Sequence, residues 1–353
     1  MDHRSFVVQP DETILITGAT GFIGSRVVRR LLDRGFSRIR CVARPSSDLT
    51  ALNAVRSMYG DARVELITGN LLCRQDCLAA TRSAVTIFHL AAAREERSIP
   101  HAYMNSVVTT RNLLDAALRH GSLQRFVSIS SFTVYTNAQR ARLRALDETC
   151  PVETRPALRG DAYCFAKVKQ DEIVTDYGEK FGVPYVIIRP GYVYGPGNEA
   201  ITHRVGIGTF GVFLHLGGGN TIPLTYVDNC AEAIVRAGLL KGVDGQVFNV
   251  VDDDLPSSRA FLRQYKRNVR RFTSLYVPHA VSYALCALWE KYSYWSEGQL
   301  PPTFNRRNWR TFWKKTRYSN AKLKASLGWV QEISTADGMA LYFASCREKA
   351  RRA

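Results

Sequence analysis

Over the first 130 residues, short apolar runs rich in β-branched residues alternate with stretches whose apolar positions recur every three or four residues. Residues 13–17, 38–43, 63–68, 85–90 and 126–129 read as strands, and residues 22–34, 73–82 and 102–120 as helices. Strands joined through helices run parallel, because each crossover returns the chain to the same end of the sheet. The helices then cover both faces, and a ligand binds beyond the carboxyl ends of the strands. In the latter half, strands are predicted at 183–189 and 246–251 and helices near 161–181 and 228–240, while the glycine-rich stretch 206–219 reads as a loop. No internal repeat or low-complexity linker interrupts the chain.

At 353 residues the chain is about twice a typical domain in length and can bury a large core. With 46% hydrophobic and 22% charged residues it is neither a fibrous repeat nor wholly disordered. Eight cysteines are scattered along it, and the one close pair, Cys73 and Cys77, lacks the second pair or the histidines of a zinc site, so no metal is expected. They read as reduced thiols. With no apolar run behind the charges of residues 1–10, a cytoplasmic compartment is expected. The formal net charge of +17 is unevenly placed: residues 259–353 carry 19 Lys and Arg against 5 Asp and Glu. Such a surface attracts anions of every kind.

The run Thr17-Gly18-Ala19-Thr20-Gly21-Phe22-Ile23-Gly24 joins the first strand to the first helix. Three glycines here let the backbone turn tightly and let a pyrophosphate approach the helix N-terminus, so dinucleotide binding is expected, with Gly18, Gly21, Phe22, Ile23 and Gly24 at the cofactor. Past the second strand, a carboxylate reads a free ribose 2′-hydroxyl and an arginine reads a 2′-phosphate. Arg44 stands there, followed by Ser46 and Ser47, and no acid precedes Asp48, so NADP is favoured over NAD. The alternative is that Arg44 is a solvated loop residue stacking on adenine. Tyr163 and Lys167, four apart on a predicted helix, share a face, and an ammonium near the phenol favours its ionised form. That makes Tyr163 a candidate acid/base. Upstream, VSISSFTVY at 127–135 ends the fifth strand at the carboxyl edge, where a hydroxyl, such as that of Thr133, could hydrogen-bond a substrate oxygen.

Together with HLAA at 89–92, YCFAK at 163–167, RPGYVYGPG at 189–197, YVDNCAEA at 226–233 and SLGW at 326–329, these marks resemble the extended short-chain dehydrogenase/reductase family, of the epimerase/dehydratase type, along nearly the whole chain. The resemblance implies a Rossmann-type doubly wound parallel sheet in residues 1–190, to which residues 226–252 return. A smaller, interrupted substrate-binding region would come from 191–225 and 253–353. It also implies Tyr163 as acid/base, Lys167 as its partner and ribose ligand, and Ser131 as the hydroxyl that orients the reacting oxygen. Asn105, Ala91, Ala92, Pro190 and Val193 would lie along the cofactor, and a homodimer would form through 101–120 and 161–181.

Two departures bear on the ligands. Where the family usually has an aspartate at the adenine, this chain has Gly69-Asn70-Leu71, and Asn70 keeps the capacity to hydrogen-bond. Where nucleotide-sugar enzymes of this type have an asparagine at the substrate diphosphate, this chain has Tyr192, and residues 219–225 hold no arginine. Both features are closer to the 3-beta-hydroxysteroid dehydrogenase and ketoreductase branch, whose substrates are apolar alcohols or ketones. The expected activity is therefore hydride transfer between nicotinamide and a carbinol or ketone carbon of a hydrophobic, sterol-like or acyl-derived small molecule. A nucleotide-sugar 4-epimerase or dehydratase is the first alternative, and a non-catalytic NADP-binding redox sensor the second.

Residues 275–289 form an apolar stretch too short to span a bilayer, followed by aromatic residues interleaved with Lys and Arg through Lys315. That pattern suits a peripheral contact with an anionic membrane surface, a lid over an apolar substrate, or plain packing of the substrate region with its cations in water. Nucleic acid is not an expected partner.

Overall fold

The computed structural model describes residues 5–60, 63–92, 96, 98–138, 145–297 and 299–352. The chain runs β1 (Thr13–Thr17), α1 (Gly24–Asp33), β2 (Ile39–Ala43), α2 (Thr50–Tyr59), β3 (Val64–Thr68), α3 (Arg74–Thr81) and β4 (Ala84–His89). A short α4 (Ile99–Ala102) and a π-helical stretch, Tyr103–Val108, lead into α5 (Thr109–His120) and β5 (Arg125–Ile129). Then come α6 (Ala162–Phe181), β6 (Tyr185–Pro190), β7 (Tyr192–Tyr194), β8 (Gly206–Thr209), β9 (Val212–His215), β10 (Leu224–Tyr226), α7 (Val227–Leu239) and β11 (Gln246–Val250). The C-terminal quarter holds α8 (Ser258–Asn268), β12 (Ser274–Tyr276), α9 (His279–Trp295), α10 (Arg306–Phe312), α11 (Ala321–Leu327) and α12 (Thr335–Arg352).

Seven strands form one sheet in the order β11-β6-β5-β4-β1-β2-β3, every pair parallel. The order reverses between β1 and β4, so the connections leaving these two strands diverge and open a crevice at their carboxyl ends. β1 and β5 are buried along their whole length, as strands covered on both faces must be. On one face Ile14, Ile16, Val27, Leu31 and Ile234 pack together, and on the other Leu15, Ile87, Leu113, Phe126 and Val174. The sheet is held across its edge by Arg125, fully buried, which donates to the Ala237 and Leu240 carbonyls and pairs with Asp244 at 2.9 Å.

One expectation is corrected. The stretch 206–219 is not a plain loop: β8 and β9 pair antiparallel there, and β12 adds parallel to β9. The hairpin turns on Phe210 (φ 45°) and Gly211 (φ 76°), two consecutive residues of positive φ, the backbone of a tight two-residue hairpin. Gly206 is needed inside it, since a Cβ there would meet the Leu214 carbonyl. A second difference is α2 (Thr50–Tyr59), which adds a helix between β2 and β3. All eight cysteines are free thiols, seven of them buried. Among the described residues no helix is long and apolar enough to cross a membrane.

Candidate functional site

The glycine run leaves β1 and enters α1 as a loop in which side chains do not fit. Gly18 has φ 71°, and a Cβ on it would stand 2.8 Å from the Ala91 amide nitrogen. A Cβ on Gly24 would stand 2.1 Å from the Gly18 carbonyl oxygen. α1 has no side-chain cap and no acid in its first turn, and the Ser25 and Arg26 amides donate to the Gly21 and Ile23 carbonyls, so the positive end of the helix dipole stands at the glycine loop without a negative side chain in its first turn. This cradle suits a pyrophosphate. Ala91 and Ala92, both half-buried, follow β4 on the other side of the crevice, with Leu90 donating to the Thr17 carbonyl at 3.1 Å. Phe22 and Ile23 are half-buried, and Phe22 packs beneath Gly197 with the Arg26 guanidinium 5.5 Å over its ring.

Arg44 lies exposed beyond the carboxyl end of β2, in a turn closed by Ser47, whose hydroxyl accepts from the Arg44 amide at 3.0 Å. No hydrogen bond or ion pair engages its guanidinium among the described residues. Asn70 stands at the same edge after β3: its side chain accepts from the Leu72 amide at 3.0 Å, and Asn112 donates to the Leu71 carbonyl at 3.0 Å, bracing the loop. Asn105 is half-buried in the π-helical stretch, a local widening often found at functional sites.

The catalytic candidates converge at the end of β5. Asp161 caps α6 by accepting from the Cys164 amide at 3.0 Å, which sets Tyr163 in the first turn, half-buried. Ser131 is likewise half-buried, and its Oγ accepts from the Thr133 amide at 3.2 Å. The Lys167 ammonium is buried, 6.0 Å from the Tyr163 ring centroid. It donates to the Ile129 carbonyl and to Gln170 Oε1 at 2.8 Å. Burial pulls its pKa down to about 8, against the Asp171 charge, which raises it. From Gln170 a chain of buried polar groups runs back to the glycine loop. Gln170 donates to Thr110 Oγ1 at 2.9 Å, the His89 ring bridges Thr110 Oγ1 at 2.8 Å and Thr17 Oγ1 at 2.7 Å, and Thr17 ends β1. Burial, with the Lys167 charge adding to it, holds His89 down to about 3, so the imidazole is neutral in this chain of contacts.

Sequence reasoning missed most of the groups that hold this site. Arg159, fully buried, donates to the Thr133 carbonyl, to Cys164 Sγ at 2.9 Å and to Asn308 Oδ1 at 2.8 Å, fastening the turn after β5 to α10. Asp171 pairs with Arg189 at 3.0 Å and accepts from Ser130 at 2.9 Å. Gln170 alone had a readable signal, since i, i+3 spacing puts it on the Lys167 face of α6. Thr133 is nearly buried, its hydroxyl 3.5 Å from Arg159 Nη2. Tyr192 donates its hydroxyl to the Ala200 carbonyl at 2.8 Å. Pro190 ends β6, and Val193 lies half-buried on β7, which pairs with β10.

Comparison with known proteins places the chain in a family and a fold. The chain is 31% identical over 189 residues to cinnamoyl-CoA reductase 1 of Oryza sativa subsp. japonica, a match covering 52% of this chain and 54% of the relative. It is 32% identical over 200 residues to a 3 beta-hydroxysteroid dehydrogenase/Delta 5-->4-isomerase of Mycobacterium tuberculosis, covering 54% and 50%. The matched part is thus about half the length of these relatives. In fold it is similar to DesIV, a dTDP-glucose 4,6-dehydratase of Streptomyces venezuelae solved with NAD and TYD bound, at a TM-score of 0.72, 19% identity and coverage of 96% and 98%. The sequence model of the NAD dependent epimerase/dehydratase family matches residues 14–250, and this chain belongs to that family.

Proposed function

We propose that the chain is an NADP-dependent oxidoreductase acting on a carbinol or ketone carbon of a hydrophobic, sterol-like or acyl-derived substrate. The observation that carries the substrate class is Tyr192: it occupies the position of the diphosphate-binding asparagine, its hydroxyl is committed to the Ala200 carbonyl, and residues 219–225 bring no arginine. The cinnamoyl-CoA reductase and hydroxysteroid dehydrogenase relatives support the same reading. A nicotinamide dinucleotide, when bound, supplies or accepts the hydride. Gly18, Gly21 and Gly24 admit its pyrophosphate and Arg44 its 2′-phosphate. Ser131 and Tyr163 hold the substrate oxygen, Tyr163 delivers or takes its proton, and the Lys167 ammonium lowers the cost of the phenolate. The Arg159 and Gln170 contacts keep these groups in place, so little reorganisation is needed at the moment of reaction.

The test is turnover with NADPH across a panel of apolar ketones and, separately, of nucleotide sugars, for the parent and Tyr163→Phe. Ketone reduction lost in Tyr163→Phe, with NADPH affinity kept, supports the reading. Saturation by micromolar nucleotide sugars with no ketone turnover assigns the 4-epimerase or dehydratase reading. No turnover of either class revives the non-catalytic NADP sensor.

A further inference from the structure

α9 is packed inside out. Its buried positions are small or polar, Ser282, Cys286 and Ser293. Five of its exposed positions are large and apolar and recur at intervals of four and three residues: Val281 is 48% exposed, Leu285 56%, Leu288 63%, Tyr292 51% and Trp295 77%. Such spacing aligns side chains on one face, so these five form a continuous stripe along a helix about 25 Å long. Trp295 stacks on Tyr292 at 5.6 Å, putting an aromatic cluster at the helix end. A water-facing helix normally shows the opposite arrangement.

The sequence flanking α9 is strongly cationic. Residues 259–318 carry thirteen Lys and Arg against two Asp and Glu, and one of those acids, Glu290, is paired with Arg306 at 2.8 Å. Lys291 is exposed beside the stripe, and Arg259 lies 5.5 Å over the exposed Tyr276 ring just before α9. This charge decides among occupants. A second copy laid on the same face would bring two cationic surfaces together, and a nucleic acid would leave the apolar stripe in water. An anionic bilayer surface satisfies both features, taking the apolar stripe at the acyl boundary and the cations at the headgroups.

We propose that α9 is a membrane-surface helix that seats the protein, without crossing, on anionic lipid. The proposal is independent of the substrate reading. It also separates the C-terminal aromatics: Trp313 and Trp329 are core, and Tyr292 and Trp295 face outward, so this face is not a lid closed over the site.

The experiment is co-sedimentation of the full chain with vesicles of phosphatidylcholine alone, or of phosphatidylcholine and phosphatidylglycerol in roughly equal parts, alongside tryptophan emission. The expected result is binding to the anionic vesicles only, weakened by added salt. Leu285→Glu/Leu288→Glu is expected to reduce it by about tenfold or more. Binding should also shift the emission to the blue, and Trp295→Phe should remove most of that shift. These side chains are exposed, so unchanged melting and circular dichroism will show that the variants fold. Absence of binding, equal binding to neutral vesicles, or binding indifferent to Leu285→Glu/Leu288→Glu overturns the proposal. So does a dimer in lipid-free solution that those substitutions break, which would give the stripe to a second copy.

Discussion

Gln170 offers a direct handle on the site, because it touches the lysine and not the reacting atoms. The Lys167 ammonium has two protein acceptors, the Ile129 carbonyl and Gln170 Oε1 at 2.8 Å, in a site where burial already lowers its pKa to about 8. A hydrogen bond to a charged group contributes about 1.5–3 kcal/mol, and one pKa unit corresponds to about 1.4 kcal/mol. Gln170→Leu therefore lowers the Lys167 pKa by roughly one to two units, to about 6–7. Gln170→Glu places a carboxylate at the same distance and raises it by roughly one to three units. The sign follows from which form is needed: the ammonium supports the Tyr163 phenolate, so activity falls as pH rises through the Lys167 pKa. The alkaline limb of turnover should stand near pH 8 in the parent, move down in Gln170→Leu and move up in Gln170→Glu. The assay is the pH profile of NADPH-dependent ketone reduction, paired with a nitrogen NMR titration of labelled lysine assigned through Lys167→Met. Gln170 also donates to Thr110, so melting is measured for each variant. A limb that stays in place in both variants, or moves the same way in both, refutes the reasoning.

Other outcomes follow from single contacts. Arg44→Ala should weaken NADPH binding by roughly 10- to 100-fold and leave NADH nearly unchanged, read by fluorescence titration, because only the 2′-phosphate uses the guanidinium fork. Gly24→Ala should abolish binding of both dinucleotides in the same titration, since its Cβ would stand 2.1 Å from the Gly18 carbonyl and the loop must open. Arg125→Ala should destabilise the fold by about 1–3 kcal/mol in denaturant unfolding, because the buried Ala237 and Leu240 carbonyls lose their guanidinium donor, while the ion pair adds little since Asp244 is exposed. A homodimer through α5 and α6, proposed from the family resemblance, should appear in light scattering and persist in Leu285→Glu/Leu288→Glu.

The main sheet was legible because its central strands are buried on both faces and so read as unbroken apolar runs: TILIT at β1 and the stretch 126–129 in β5 need no tertiary information. α2 carries Leu52, Val55 and Tyr59 at helical spacing but buries only Leu52 and Val55 of its ten residues, so it lies outside the core whose apolar runs mark the other elements. The β8–β9 hairpin was hidden by its glycines, which signal loops in general but here admit the Leu214 backbone and the Phe210-Gly211 turn. At the candidate site, the glycine loop and the Tyr163–Lys167 pair are local spacing patterns, while Ser131 comes from the family resemblance. The contacts that hold them were not legible: Arg159 reaches Asn308 across 149 residues and His89 reaches Thr17 across 72, and no local pattern records such pairings. The C-terminal aromatics show the same limit, for the sequence gives Trp295 and Trp313 alike, and only packing buries one and exposes the other.

The central claim, net hydride transfer with an exchangeable NADP cofactor, is tested most directly by denaturing the purified protein and identifying and quantifying the released nucleotide by mass spectrometry. An exchanging redox enzyme leaves the site largely empty after purification, with NADPH then taken up reversibly, and that is the result predicted. NAD retained at close to one per chain would contradict it, because an enzyme that regenerates its cofactor within each turnover keeps it bound.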